Sequence, residues 1–156
     1  KCYQKFIEVF CHLLAGITDM QRFKEHGKFE IKRGDQLLFL DATGPFNGEL
    51  ITMLMEGLQE HVDALSPLPW AEVAIMREES AYTPEALVLL TQSIAKRIEQ
   101  NLRAIAIQFD NPTSRQLTEY QRTTVFSQFK QRSFAFFDSN EDAKDWCLQQ
   151  LAHSGN

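Results

Sequence analysis

From Phe29 onward the sequence alternates between short apolar runs, which have the length of β-strands, and longer segments with one apolar face, which are typical of helices. The predicted strands are residues 29–33, 37–43, 70–76, 103–109 and 133–138. Such alternation favours a mostly parallel sheet with right-handed crossovers and helices on its faces. We therefore predict an α/β fold with a mixed, mostly parallel five-stranded sheet, flanked by helices and preceded by an extra N-terminal helix.

The first two predicted strands form a hairpin, which adds one antiparallel pairing to the sheet. Gly34 and Asp35 separate the two apolar runs, and glycine supplies the positive φ that a type II′ turn requires. The second run is apolar on both faces until Asp41, which is the pattern of a buried central strand. We therefore expect a two-residue turn at Gly34-Asp35.

The predicted helices begin at residues that cap helix N-termini. Asn47 precedes a helix over 48–65, and Ser139 precedes the last helix. Thr83 is followed by Pro84, which is favoured at the first helical position. The last helix is expected to bury Ala143, Trp146, Cys147 and Leu151.

The first residues form a separate segment. Residues 6–17 are rich in apolar side chains, but they lack a basic leader and a cleavage site and are too short to span a bilayer. We expect an amphipathic helix that packs on the domain or on a second subunit, giving a homodimer through residues 1–19. The expected division is an appendage over 1–26 and a domain over 27–156, although a domain that begins near Met20 fits the sequence as well.

Charge and cysteine content limit the partners and the compartment. The net charge is −5, with Lys and Arg scattered along the chain, which argues against nucleic acid as a partner. The three cysteines are odd in number and form no CxxC pair, which indicates free thiols in a reducing compartment. We therefore expect a soluble, cytoplasmic domain that is not an integral membrane protein.

Three stretches of the chain resemble one family. They are Asp41-Ala-Thr-Gly-Pro-Phe-Asn47, Thr83-Pro-Glu-Ala-Leu87 and Phe136-Phe-Asp-Ser139. Over residues 27–151 the chain resembles the SpoIIAA-like proteins, which belong to the wider STAS group of sulfate transporter and anti-sigma-factor antagonist domains. The members are largely uncharacterised, so the resemblance implies a fold more than a function.

The resemblance also implies a regulatory position. Anti-sigma-factor antagonists of this group carry a phosphorylatable Ser or Thr where the helix after the third strand begins, which here corresponds to Thr83, with Ser80 just before it. The typical Asp-Ser-Ser-Gly-Leu signature is replaced by Glu79-Ser80-Ala-Tyr-Thr83-Pro84. This departure changes the surface that a kinase or an anti-sigma factor would recognise.

Polar side chains follow the strands at their carboxyl ends, where open α/β sheets gather ligands. The groups are Asp41, Thr43 and Asn47; Glu79, Ser80 and Thr83; Asp110, Asn111, Thr113 and Ser114; and Asp138 and Ser139. We select Asp41, Thr43, Asn47, Asp110 and Ser114 as a polar edge that could meet a partner or a small anion. Capping and turn chemistry alone also explains each group.

Motifs for catalysis or metal binding are missing from the sequence. The four histidines are far apart, and neither a G-x-S-x-G turn nor a phosphate loop is present. We therefore predict no metal, no cofactor and no catalytic activity.

The leading hypothesis is a self-associating regulatory or protein-interaction module. The alternatives are a carrier for a lipid or another small apolar ligand, since the fold also resembles lipid-transfer domains, and an enzyme that uses the polar edge.

A helical stretch after residue 112 carries Leu117 and Tyr120. Phe126 and Phe129 are either core residues or an exposed dimer or lipid-facing surface.

Overall fold

The strands lie in the sheet in the same order as in the chain, β1-β2-β3-β4-β5, in a computed structural model that describes residues 27–154. The elements are β1 (Lys28–Gly34), β2 (Leu37–Thr43), α1 (Gly48–Leu65), β3 (Trp70–Arg77), α2 (Pro84–Glu99), β4 (Leu102–Asp110), α3 (Arg115–Phe126), β5 (Ser133–Phe137) and α4 (Asn140–His153). Strand β1 is antiparallel to β2, and the remaining neighbours are parallel. The predicted mixed five-stranded sheet is therefore confirmed.

Several predictions fall on residues outside the described range. They are the N-terminal helix, the boundary at residue 26 and the dimer contact through residues 1–19. These remain predictions. Within residues 27–154, none of the helices combines the length and the apolar character that crossing a membrane requires.

The helices are divided between the two faces of the sheet. Helices α1, α2 and α3 contribute to the larger core cluster, while α4 covers the opposite face with Ala143 and Cys147. The three crossovers from β2 to β5 each move to the next strand on the same side of the sheet. Because such crossovers are right-handed, their helices lie on one face of the sheet. Within the described sheet the strand order does not reverse, so the crevice that forms at a switch point of doubly wound sheets has no counterpart.

Small side chains allow α4 to pack closely on the sheet. Ala71, Ala104 and Ala106 face Ala143 and Cys147, and all five are fully buried. The Cys147 thiol lies 3.6 Å from the carbonyl oxygen of residue 72, and burial raises the pKa of this thiol to about 12. The inward face predicted for the last helix is confirmed, and Cys147 is a packing residue.

The hairpin turn differs from the prediction by one residue. Gly34 is the last residue of β1 and pairs with Leu37, whereas Asp35 and Gln36 form the turn with φ values of 56° and 60°. Two positive φ values are the pattern of a type I′ turn, so the predicted type II′ turn at Gly34-Asp35 is wrong. The side-chain amide of Gln36 donates to the carbonyl oxygens of Leu65 at 3.2 Å and Pro69 at 3.1 Å, which ties the turn to the end of α1.

The turn assignment predicts the effect of alanine at Gly34. A Cβ at this position meets no atom within 4 Å, so we expect Gly34→Ala to change the free energy of unfolding by no more than about 0.5 kcal/mol. Gly27→Ala is the matched control, since φ of Gly27 is +78° and a left-handed conformation costs a non-glycine residue about 1–2 kcal/mol. Urea denaturation measures the free energy of unfolding of both variants. Equal losses for the two variants would contradict the type I′ assignment.

Candidate functional site

One arginine joins the carboxylates at the carboxyl ends of β2 and β4. The Arg77 guanidinium donates to both carboxylate oxygens of Asp41, at 2.7 and 2.8 Å, and its third nitrogen contacts Asp110. The hydrogen bonds to Asp41 and the charges of both carboxylates raise the pKa of Arg77, although burial opposes them. The third predicted strand ended at residue 76, but Arg77 continues β3 opposite Thr43 and Asp110.

This ion cluster borders a depression of about 280 Å³ on the face that also carries α4. The lining residues are Lys28, Phe29, Glu30, Asp41, Thr43, Arg77 and Glu78. Both signs of charge are present, and Arg77 already neutralises Asp41. The depression therefore has no clear preference for an anion or a cation.

A cluster of hydroxyl groups lies on the opposite face. The Ser80 hydroxyl is 2.8 Å from that of Thr118 and 3.3 Å from that of Ser114, which also accepts a hydrogen bond from the Ser80 amide at 3.0 Å. Ser80 and Thr118 are fully buried. Ser80 and Ser114 were predicted site residues and Thr118 was not, because a buried threonine in a helix carries no sequence signal of its own.

Two further predicted residues, Asn47 and Thr83, act as helix caps. Asn47 accepts from the Leu50 amide at 2.9 Å, and Thr83 accepts from the Ala86 amide at 3.2 Å. The two cap loops are joined, since the Thr83 amide donates to the carbonyl oxygen of Phe46 at 2.9 Å. The Phe46 and Tyr82 rings stack with centroids 4.7 Å apart. Thr83 itself is exposed.

The structure therefore divides the predicted polar edge between the two faces of the sheet. Asp41, Thr43 and Asp110 lie with Arg77 on the α4 face, whereas Ser80 is buried against Thr118 of α3 and Ser114 precedes that helix. Among residues 27–154, no group of three or more His, Cys, Asp or Glu side chains could hold a metal ion.

An ion pair is buried between β3 and α2. The Arg97 guanidinium contacts the Glu72 carboxylate, and their side chains are 5% and 1% exposed. Burial lowers the pKa of Arg97 to about 9, and the nearby positive charge of Arg122 acts in the same direction. The contact with the Glu72 carboxylate supplies the counter-charge for this buried guanidinium.

A second guanidinium is buried on α3. Arg122 is 1% exposed, and its Nε and Nη1 atoms find no hydrogen-bond acceptor within the described part of the chain. Its Cζ atom lies 5.3 Å from the ring centroid of Tyr82 and 5.7 Å from that of Phe126. Such contacts contribute about 2 kcal/mol when desolvated, which is less than the several kcal/mol that burying an ion costs. Burial raises the pKa of Tyr82, whereas the charge of Arg122 and its hydrogen bond to the Tyr82 oxygen act in the opposite direction.

A groove of about 350 Å³ separates α2 from α3 on the outer surface. Its lining is uncharged: Leu87, Val88, Thr91, Gln92, Gln121, Thr124, Val125 and Gln128. Val88 is 58% exposed, and on α3 Leu117 and Tyr120 are 50% and 71% exposed. We call Val88, Leu117, Tyr120 and the groove lining the α2–α3 surface.

Phe126 and Phe129, for which a core position and an exposed surface were the two alternatives, lie outside the groove lining. Phe126 is buried and stacks on Phe134 with centroids 4.0 Å apart, and Phe129 is half-buried against the core. The core alternative is therefore confirmed for both. Helix α3 turns Thr118, Arg122 and Val125 inward with Phe126, and this orientation leaves Leu117 and Tyr120 outside.

The buried ion pair predicts a large effect of removing its carboxylate. Glu72→Gln leaves Arg97 without a counter-charge, and we expect a loss of about 3–5 kcal/mol in the free energy of unfolding. Glu60→Gln, at an exposed position of α1, should change it by no more than about 0.5 kcal/mol. Urea denaturation compares the two variants, and a Glu72→Gln protein as stable as the unsubstituted chain would contradict this account.

Comparison with known proteins bears on the fold. No protein-family model matches the chain, and no curated protein matches it. Among solved structures it is similar to an uncharacterised protein of the DUF3478 family from Shewanella loihica PV-4, which has a SpoIIAA-like fold. The identity is 22%, the match covers 78% of this chain and 94% of that one, and the TM-score is 0.53. The resemblance seen in the sequence is thus confirmed for the fold: this chain has the SpoIIAA-like α/β architecture.

Proposed function

We propose that this domain is a non-catalytic regulatory module that binds a protein partner through the α2–α3 surface. The observation that supports this proposal is the distribution of exposed apolar side chains. Of the six large apolar side chains exposed among residues 27–154, Val88, Leu117 and Tyr120 lie on these two helices. Exposed apolar groups that cluster beside a groove are typical of interaction sites.

The helix geometry places the three side chains around the groove. Val88 belongs to its lining, and Leu117 and Tyr120 come four residues before Gln121 and Thr124, which also belong to it. Residues four apart lie on one side of a helix, so all three surround the same groove. Because the lining is uncharged, the apolar face of a partner helix fits it without burying an unpaired charge.

The contacts at the carboxyl edge support a role without catalysis. Arg77 binds both Asp41 and Asp110. The hydroxyl groups of Ser80 and Ser114 are hydrogen-bonded to each other, and Asn47 and Thr83 cap helices. A nucleophile or a general base must be able to reach a substrate. Structural hydrogen bonds and ion pairs already occupy these groups.

The α2–α3 surface predicts the outcome of site-specific cross-linking in cells of the source organism. The photoreactive residue p-benzoylphenylalanine, placed at Val88 or at Tyr120, should give a discrete protein adduct. The same residue at Leu148 is the matched control, since Leu148 is 38% exposed on α4, across the sheet. Gel mobility and mass spectrometry identify the adducts.

Three results would contradict the proposed surface. They are equal yields of adduct at Leu148, adducts of lipid mass only, and no protein adduct at either test position. A lipid-sized adduct in native mass spectrometry of the purified protein would favour the carrier instead.

The proposed regulatory role places a phosphate on Thr83 rather than on Ser80. Thr83 is exposed at the start of α2, where the helix dipole favours negative charge, whereas Ser80 is fully buried. It also precedes Leu87 of the groove by one helical turn. A phosphate there would add charge at the end of the α2–α3 surface.

Incubation with extract of the source cells tests this site. We expect Ser80→Ala to retain phosphate incorporation and Thr83→Val to lose it, measured by phosphopeptide mapping. Thr83→Val also loses a cap, at about 1 kcal/mol, so Thr83→Ser, which keeps both cap and acceptor, is the control. Incorporation that survives in Thr83→Val would refute the assignment.

A further inference from the structure

Strand β1 forms one edge of the sheet. Among residues 27–154 it pairs with β2 alone, so the backbone groups along its outer side have no partner in this part of the chain. Five of its seven residues are exposed, while Phe29 and Ile31 pack against the core. An exposed edge of this length can accept another strand, because its backbone groups can extend the ladder of hydrogen bonds.

The charges of β1 restrict which strand can pair with it. Lys28, Glu30 and Lys32 alternate with Phe29 and Ile31, so their side chains lie on the face of the sheet away from α1. The Glu30 and Lys32 side chains are in contact at 3.2 Å and are 64% and 72% exposed. Edge charges of one sign repel an incoming strand. Opposite signs two residues apart instead favour a strand with the reverse order of charges, which an antiparallel second copy of β1 has.

One register of such a pairing matches the charges. A two-fold axis at Ile31 pairs all seven residues of β1 with those of the second copy. It places Glu30 of each copy opposite Lys32 of the other, so the opposite-charge pair forms twice. The remaining charged residues, Lys28 and Arg33, lie opposite uncharged residues in this register.

The neighbouring registers that keep the same face of the sheet are unfavourable. An axis at Glu30 sets this carboxylate opposite its own copy and Lys28 opposite Lys32. An axis at Lys32 sets that ammonium group opposite its own copy. Like charges directly opposite each other destabilise a strand pair. The charges of β1 therefore select the axis at Ile31.

The flank of α1 above this edge is suited to a second helix. Gly57 is exposed directly over the strand, since a Cβ there would lie 3.4 Å from side-chain atoms of both Ile31 and Phe29. Met53, one turn earlier on the same flank, is 40% exposed, and Ala64, two turns later, is also exposed. A small residue at the crossing point allows two helices to approach to the 8–10 Å that is typical of packed helices.

The strand and the helix give the same axis independently. A rotation about Ile31 brings the Gly57 positions of the two copies together, because Gly57 lies over Ile31. The exposed Met53 side chains then flank the crossing and are covered by the opposite helix. Charge order in β1 and side-chain size in α1 are unrelated properties of the sequence, and both fit one arrangement.

We propose that two copies of this chain pair through β1 and α1 about a two-fold axis at Ile31. The two sheets then join into one sheet of ten strands, five from each copy. Gln59, which contacts Lys96 of α2 at 3.0 Å, lies about 200° around α1 from Gly57, so α2 is on the other flank of this helix. Each copy therefore keeps its α2–α3 surface accessible, and the pairing does not depend on the function proposed for that surface.

Reversing the two charges separately tests this pairing. We expect the unsubstituted full chain to sediment as a dimer, and Glu30→Lys or Lys32→Glu to raise the dissociation constant by about tenfold or more, since each sets like charges opposite each other twice. An equimolar mixture of the two variants should form a heterodimer as tight as the original dimer, because opposite charges then meet at both positions. Asp145→Lys, the same charge change at an exposed position of α4, is the control and should leave the dimer intact.

Gly57→Gln separates association from folding. Glutamine favours a helix more than glycine does, and the position is exposed, so the free energy of unfolding of the monomer should stay constant or rise by up to about 1 kcal/mol. The longer side chain should nevertheless dissociate the dimer, because it keeps the two helices apart. Urea denaturation of dilute protein and sedimentation of concentrated protein measure the two effects.

Three results would overturn the pairing. They are an unsubstituted chain that stays monomeric at its highest soluble concentration, a dimer that Glu30→Lys and Gly57→Gln leave intact, and a mixture of the charge variants that associates no better than either variant alone. A dimer held through residues 1–19 would give the second result.

Discussion

The contact between Glu72 and Arg97 fixes the position of α2, and the α2–α3 surface depends on this helix. Strand β3 is buried on both faces, so a carboxylate on it requires a cation, and α2 supplies one near its C-terminal end. The other end of α2 is held where Thr83 bonds to Phe46. Fixed at both ends, α2 forms one stable wall of the groove opposite α3. The exposed apolar side chains of the α2–α3 surface depend on this placement.

Much of the fold was predictable because the spacing of apolar residues along the sequence shows which residues are buried. The alternation of apolar runs gave the five strands, and the caps at Asn47, Thr83 and Ser139 placed three helix starts correctly. These signals are local, since a cap acts on the amide three residues later. The position of the hairpin turn was predicted wrongly because its two residues, Asp35 and Gln36, have positive φ although neither is a glycine.

The candidate site was harder to predict because its contacts join distant parts of the chain. The sequence marked Asp41 and Asp110 as polar residues at strand ends, but not the arginine that binds both. Arg122 lies in a polar stretch of sequence and gives no sign that it is buried. The periodicity of apolar residues predicts which residues are buried, but it does not predict which charged side chains pair with each other.

The sequential order of the strands has a consequence for how this chain folds. In the sheet formed by residues 27–154, every pair of neighbouring strands is also consecutive along the sequence, so each of these strands pairs with the strand before it in the chain. Loop closure between near neighbours costs little entropy, and short hairpins close fastest. We therefore expect the sheet to grow from the β1–β2 hairpin by adding one strand-and-helix unit at a time. A parallel sheet built in this way has a lower contact order than one whose strands are shuffled, which favours rapid folding.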